Sequence, residues 1–175
     1  QHAPKSTLST GKCIVLVTPD SKRTMSTYLG ISENVHADFI NETSIQAAKH
    51  LYIEGYMLTN PTNQAAVTLA NSLAQQHQTK RILSLSDPGV VEYFHDAFLS
   101  LCSSPVDFLF CNEAEAQTFT KTSSVEEAAE ALKTYTKEYA ITCGAQGAIV
   151  FDGTQQHSIK GKPVNAIDSN GAGDI

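Results

Sequence analysis

Short apolar runs rich in β-branched residues recur along the chain with helix-forming stretches between them, and this alternation constrains the fold more than any other feature. Cys13-Ile14-Val15-Leu16-Val17, Leu51-Tyr52-Ile53-Glu54, Arg81-Ile82-Leu83-Ser84-Leu85, Val106-Asp107-Phe108-Leu109-Phe110, Tyr139-Ala140-Ile141-Thr142 and Ala148-Ile149-Val150-Phe151 read as strands, the first two as buried ones. The turn residues Thr18-Pro19-Asp20-Ser21-Lys22 predict that Thr24 to Leu29 returns as the second strand of a hairpin. A short helix is expected over Asn41 to His50. Another begins at Pro61 behind an Asn60 cap, with Ala66, Leu69 and Leu73 at helical spacing. Val90 to Cys102 is helical by period, after the breaker Asp87-Pro88-Gly89. Ser124-Val125-Glu126-Glu127 reads as a capping box for a helix whose apolar face is Val125, Ala128, Ala129, Leu132 and Tyr135.

Repeated strand–helix–strand units with short connections imply a mostly parallel sheet flanked by helices, an α/β fold. Ligands of such sheets gather at the carboxyl ends of the strands, which places Asp87, Asn112 and Gly144 together. At 175 residues the chain can bury about 70% of its unfolded surface, so its core needs no disulfide or metal.

Composition narrows the function classes. A formal net charge of -6 argues against nucleic acid and acidic membranes as partners, because both need a basic face. The cysteines, Cys13, Cys102, Cys111 and Cys143, show no C-x-x-C spacing, so reduced thiols in a cytoplasmic protein are expected. No apolar run approaches the roughly 20 residues of a membrane span. There is no G-x-x-x-x-G-K-[ST], H-E-x-x-H or G-x-S-x-G pattern, which leaves P-loop, metalloprotease and serine-hydrolase chemistry unsupported.

The stretch richest in chemistry is Asp168-Ser169-Asn170-Gly171-Ala172-Gly173-Asp174. Three consecutive small residues let backbone N–H groups approach an anion closely, and a helix starting there would add its dipole. A carboxylate at the end of the loop suits phosphoryl transfer: amides hold developing charge while the carboxylate takes a proton from a hydroxyl. A preorganised donor is worth about 3–4 kcal/mol in a transition state. A positioned base supplies about 10²–10⁴-fold. The plainer alternative is a helix cap at Asp168 or Asn170, with Asp174 complementing the helix dipole. Asn112-Glu113-Ala114-Glu115 is equally consistent with a cap and its reciprocal acid. Thr142-Cys143-Gly144-Ala145-Gln146-Gly147 is consistent with a glycine-rich hairpin turn, and Arg23 with a solvated turn arginine.

The heptapeptide 168–174 resembles the second signature of the PfkB (ribokinase-like) carbohydrate kinases, D-T-x-G-A-G-D, with Ser169 in place of Thr. The resemblance implies that Asp174 is the catalytic base, Gly171, Ala172 and Gly173 the anion hole, and Asp168 a ligand of a monovalent cation. Asn112 and Glu115 match the family's N-x-x-E element, which organises Mg²⁺ through water. Thr142 and Gly144 match its segment along the ATP phosphates, with Gly147 structural. Residues 18–24 resemble a hairpin of adenosine-kinase-like members, in which Arg23 would reach the transferred phosphate. The resemblance runs from about Gly11 to Ile175. It implies a Rossmann-like core over 31–175, with residues 1–30 forming an arm and part of a small lid. It also implies ATP and Mg²⁺ as cofactors, K⁺ as a further candidate, and a sugar or nucleoside as substrate. The chain stops one residue into what reads as a new helix, so an incomplete fragment with little activity of its own is expected. Two further expectations remain: a non-catalytic nucleotide-binding module as the alternative function, and a homodimer formed by the open edges of a cut sheet.

Overall fold

The computed structural model describes residues 7–18 and 23–164. A two-stranded antiparallel ribbon is formed by β1 (Lys12–Val17) and β2 (Arg23–Tyr28). The remainder builds a six-stranded sheet from β3 (His50–Glu54), β4 (Lys80–Ser84), β5 (Val106–Asn112), β6 (Thr136–Thr142), β7 (Gly147–Phe151) and β8 (Gln156–Lys160), paired in sequence order. β3 to β6 run parallel, while β7 and β8 return antiparallel. Among the described residues six α-helices accompany them: α1 (Glu42–Ala47), α2 (Pro61–Gln76), α3 (Pro88–Tyr93), α4 (His95–Leu101), α5 (Glu113–Thr120) and α6 (Val125–Leu132).

Cross-strand neighbours share a face of a sheet. The register Ile53–Leu83–Leu109–Tyr139 therefore puts four apolar side chains on one face, all buried. They join one core with Val91, Phe98, Phe119, Ala129 and Leu132 from α3 to α6. Tyr52, Ile82 and Phe108 are in register on the opposite face, with Phe110 two residues further along β5. That face is thinly covered among the described residues: Tyr52 is 54% exposed and Phe110 43%.

Helix starts follow the local code. The Asn60 side chain accepts from Asn63 N–H, with Pro61 at the first helical position of α2. Asn41 caps α1 in the same way, but that helix ends at Ala47, and the residues up to His50 lead into β3.

Several expectations need correction. The apolar run 13–17 forms a strand but an exposed one, because no layer packs on the ribbon among the described residues; Ile14 is 65% exposed. β3 is likewise only half-buried, since it lies at the sheet edge and buries Ile53 alone. The helical stretch 90–102 is interrupted at Phe94, where no Gly or Pro marks the break; Phe94 itself packs on the core. The box at Ser124 is half made. Its hydroxyl accepts from Glu127 N–H, but the Glu127 carboxylate accepts from the N–H and hydroxyl of Ser123. β8 gave no sequence signal, because all five of its residues are exposed and lack apolar alternation.

Candidate functional site

Because β3 to β6 are parallel, their carboxyl ends share one side of the sheet, where Glu54, Ser84, Asn112 and Thr142 are the last strand residues. Asn112 and Thr142 are direct register partners. The sequence-derived candidates Asn112, Glu115, Thr142 and Gly144 are thus brought together, with Asp87 at the end of the β4 exit. Arg23 stands on the separate ribbon, paired in register with Val17. Asp168, Gly171, Ala172, Gly173 and Asp174 lie outside the described residues.

The centre of this group is the start of α5. Asn112 has extended backbone, and its Oδ1 accepts from Glu115 N–H at 2.9 Å. Glu115 Oε2 accepts from Asn112 N–H at 2.9 Å, and Oε1 from Asn112 Nδ2 at 2.7 Å. The capping box is complete, with an additional bond from the side-chain amide of Asn112. Glu115 is buried, and burial raises its pKa from the ordinary carboxylate value. The Asn112 N–H counters this, while the negative charges of Asp87 and Glu54 add to it.

Asp87 caps α3, its Oδ1 accepting from Gly89 and Val90 N–H at 2.8 and 3.1 Å. Glu54 accepts from the Tyr52 hydroxyl at 2.8 Å and from the Ser86 hydroxyl. Sequence reasoning placed Asp87 at this end but passed over Glu54 and Ser86. The breaker Asp-Pro-Gly signalled a turn, and nothing local signalled the partner 32 residues upstream.

Beyond β6, Gly144 has φ +52°, and a Cβ there would meet open space. Gly147 differs: at φ +108° a Cβ would collide with the Ile159 carbonyl, so this glycine serves the β7–β8 contact. Among the described residues no group of three or more His, Cys, Asp or Glu is arranged to hold a metal ion. The donors at this end are nonetheless carboxylate oxygens, which suit Mg²⁺. Both Glu115 oxygens already accept from Asn112, which fits contact with a cation through its water shell rather than direct ligation.

Parallel strands, helices packed on them and polar groups at their carboxyl ends make an α/β fold with its ligand edge at the strand ends, and similarity to solved structures makes it ribokinase-like. Over residues 2–175 the chain matches the pfkB family carbohydrate kinases, and it belongs to that family. Adenosine kinase 2 of Arabidopsis thaliana is 30% identical over 94% of this chain and 52% of its own length. The crystal structure of adenosine kinase from Sinorhizobium meliloti superposes with a TM-score of 0.90 at 29% identity, over 99% of this chain and 54% of that one. A chain from E. coli solved in complex with ATP and Mg²⁺ shares the fold, with a TM-score of 0.79 and 21% identity over 93% of this chain and 54% of its own. The chain spans about half the length of the relatives it matches.

Proposed function

We propose that the protein transfers the γ-phosphoryl group of ATP to a primary hydroxyl of a sugar or nucleoside. The observation that carries this reading is the meeting of the Asn112–Glu115 pair with the Thr142–Gly144 segment at the carboxyl ends of the strands, in a chain of the pfkB family. In this reading Asp174 takes the proton of the attacking hydroxyl, and the amides of Gly171, Ala172 and Gly173 hold the developing charge. Asn112 and Glu115 orient the water shell of Mg²⁺, Thr142 and Gly144 line the phosphates, and Arg23 approaches the transferred group. Mg²⁺ supplies charge neutralisation on the phosphates when bound. Asp168 is the candidate for a monovalent cation such as K⁺. The lid assignment of residues 1–30 and the core assignment of 31–175 belong to the same proposal, as does a cytoplasmic setting; among the described residues no helix is long and apolar enough to cross a membrane.

The relatives favour a ribose-containing acceptor such as adenosine, since the similar Arabidopsis and Sinorhizobium proteins are named adenosine kinases. The test is ATP-to-ADP turnover by the complete natural protein, with Mg²⁺ and with or without K⁺, across ribose, fructose, adenosine and related compounds. Turnover stimulated by one compound is expected, falling by about 10²–10⁴-fold in Asp174→Asn. Unchanged turnover in that variant would falsify the role of Asp174. For the 175-residue chain alone, nucleotide binding without transfer is the second reading, favoured by its spanning about half of its relatives.

A further inference from the structure

We infer that Glu54, acting through Ser86, is a positioning residue that fixes Asp87 and helix α3 against the α5 start carrying Asn112 and Glu115. Its consequence for transfer rests on the phosphotransfer reading above.

Ser86 has φ +71°, in the left-handed region that L side chains rarely adopt. Asp87 N–H donates to the Leu85 carbonyl at 2.9 Å, closing a three-residue γ-turn around Ser86, a strained form of turn. Such a conformation persists only where its surroundings over-determine it. Those surroundings come from β3. The Ser86 hydroxyl donates to Glu54 Oε1 and accepts from Gly55 N–H at 2.8 Å, while Glu54 Oε2 is held by the Tyr52 hydroxyl.

Gly55 makes the close approach possible. A Cβ there would lie 2.7 Å from the Leu85 carbonyl oxygen and 2.8 Å from both the Ser84 carbonyl and Ser86 Oγ. The exits of β3 and β4 are therefore locked, and the residue immediately after the lock is Asp87. Asp87 takes the first N–H groups of α3, and α3 packs on α5. Through this path a contact on β3 sets the position of the buried Glu115. The Asp87 and Glu54 charges both reach that carboxylate, which agrees with the path.

The test uses the complete natural protein with Glu54→Ala, Glu54→Gln, Ser86→Ala and Ser86→Gly. The glycine variant removes the hydroxyl but accepts the positive φ, so it covers a Ser86→Ala protein that fails to fold. Amide exchange at Gly89 and Val90 is expected to quicken about tenfold in Glu54→Ala and in the Ser86 variants, on the scale of losing a hydrogen bond to a charged group. Glu54→Gln, which keeps an acceptor oxygen for the Ser86 hydroxyl, should exchange close to wild type. The kcat should fall in the same order, with KM for ATP nearly unchanged. Exchange unaltered in folded Glu54→Ala, or equally altered in Glu54→Gln, would overturn the inference. A wild-type protein without turnover would instead sink the phosphotransfer reading, and exchange at Gly89 and Val90 would then decide the latch by itself.

Discussion

Asn112 serves a helix and a candidate site with one side chain, and the two roles separate by substitution. Its Oδ1 caps α5, whereas its Nδ2 reaches Glu115 Oε1. Asn112→Ala loses both and should cost about 0.5–2 kcal/mol of stability, the usual range for a lost N-cap. Asn112→Ser restores a capping oxygen but lacks the Nδ2 amide that reaches Glu115 Oε1. Its urea midpoint should return to near wild type, while turnover by the complete protein should stay low. If Asn112→Ser recovers turnover as well as stability, the pair is a cap and nothing more. The Asn112–Glu115 pairing was legible in the sequence because its partners are three residues apart. What the sequence withheld was the burial of Glu115 and the nearby charges of Asp87 and Glu54, which come from other strand exits.

At the scale of elements, the amino ends of β4, β5 and β6 are tied by Asp107. Its Oδ2 accepts from Arg81 N–H at 2.8 Å, and its Oδ1 from Lys137 Nζ at 2.7 Å. Burial works to raise the pKa of Asp107, but Lys137 and Arg81 outweigh it, and the carboxyl is held below its ordinary value of 3.8. A carboxylate with a depressed folded pKa contributes stability above its unfolded pKa and loses it as pH falls through the folded value. Asp107→Asn should therefore reduce stability at neutral pH and flatten the fall below about pH 4. Urea midpoints measured between pH 3 and 7 check this. A gap between wild type and variant that persists undiminished at pH 3 would count against the electrostatic account. The Arg81 guanidinium is buried beside this tie, donating to Asn71 Oδ1 and to the carbonyls of Ser104 and Pro105. In sequence Arg81 is merely the first residue of an apolar run. Its partners arrive from α2 and the α4–β5 loop, so no local pattern could announce them.

For the whole molecule, the two faces of the sheet are unequally covered. Among the described residues, Tyr52 and Phe110 on the thin face, with Ile14, Leu16 and Met25 on the ribbon, leave apolar surface in water. Surface of this kind and the open β3 edge favour association. The 175-residue chain is expected to sediment as a dimer or larger species at micromolar concentration. Phe110→Glu should shift it toward monomer. A wild-type chain monomeric throughout that range would remove the case for a homodimer formed through this face. The sequence by itself determined the types of most elements, the caps at Asn60 and Asn112 and the parallel α/β order, because periodicity and capping are set within three or four residues. Only the tertiary structure decided which strands stand exposed, which carboxylates face Glu115, and that Ser86 is held in a positive-φ turn by Glu54. Those outcomes depend on strand register and on groups some 30 residues apart, a separation at which local backbone preference carries no information.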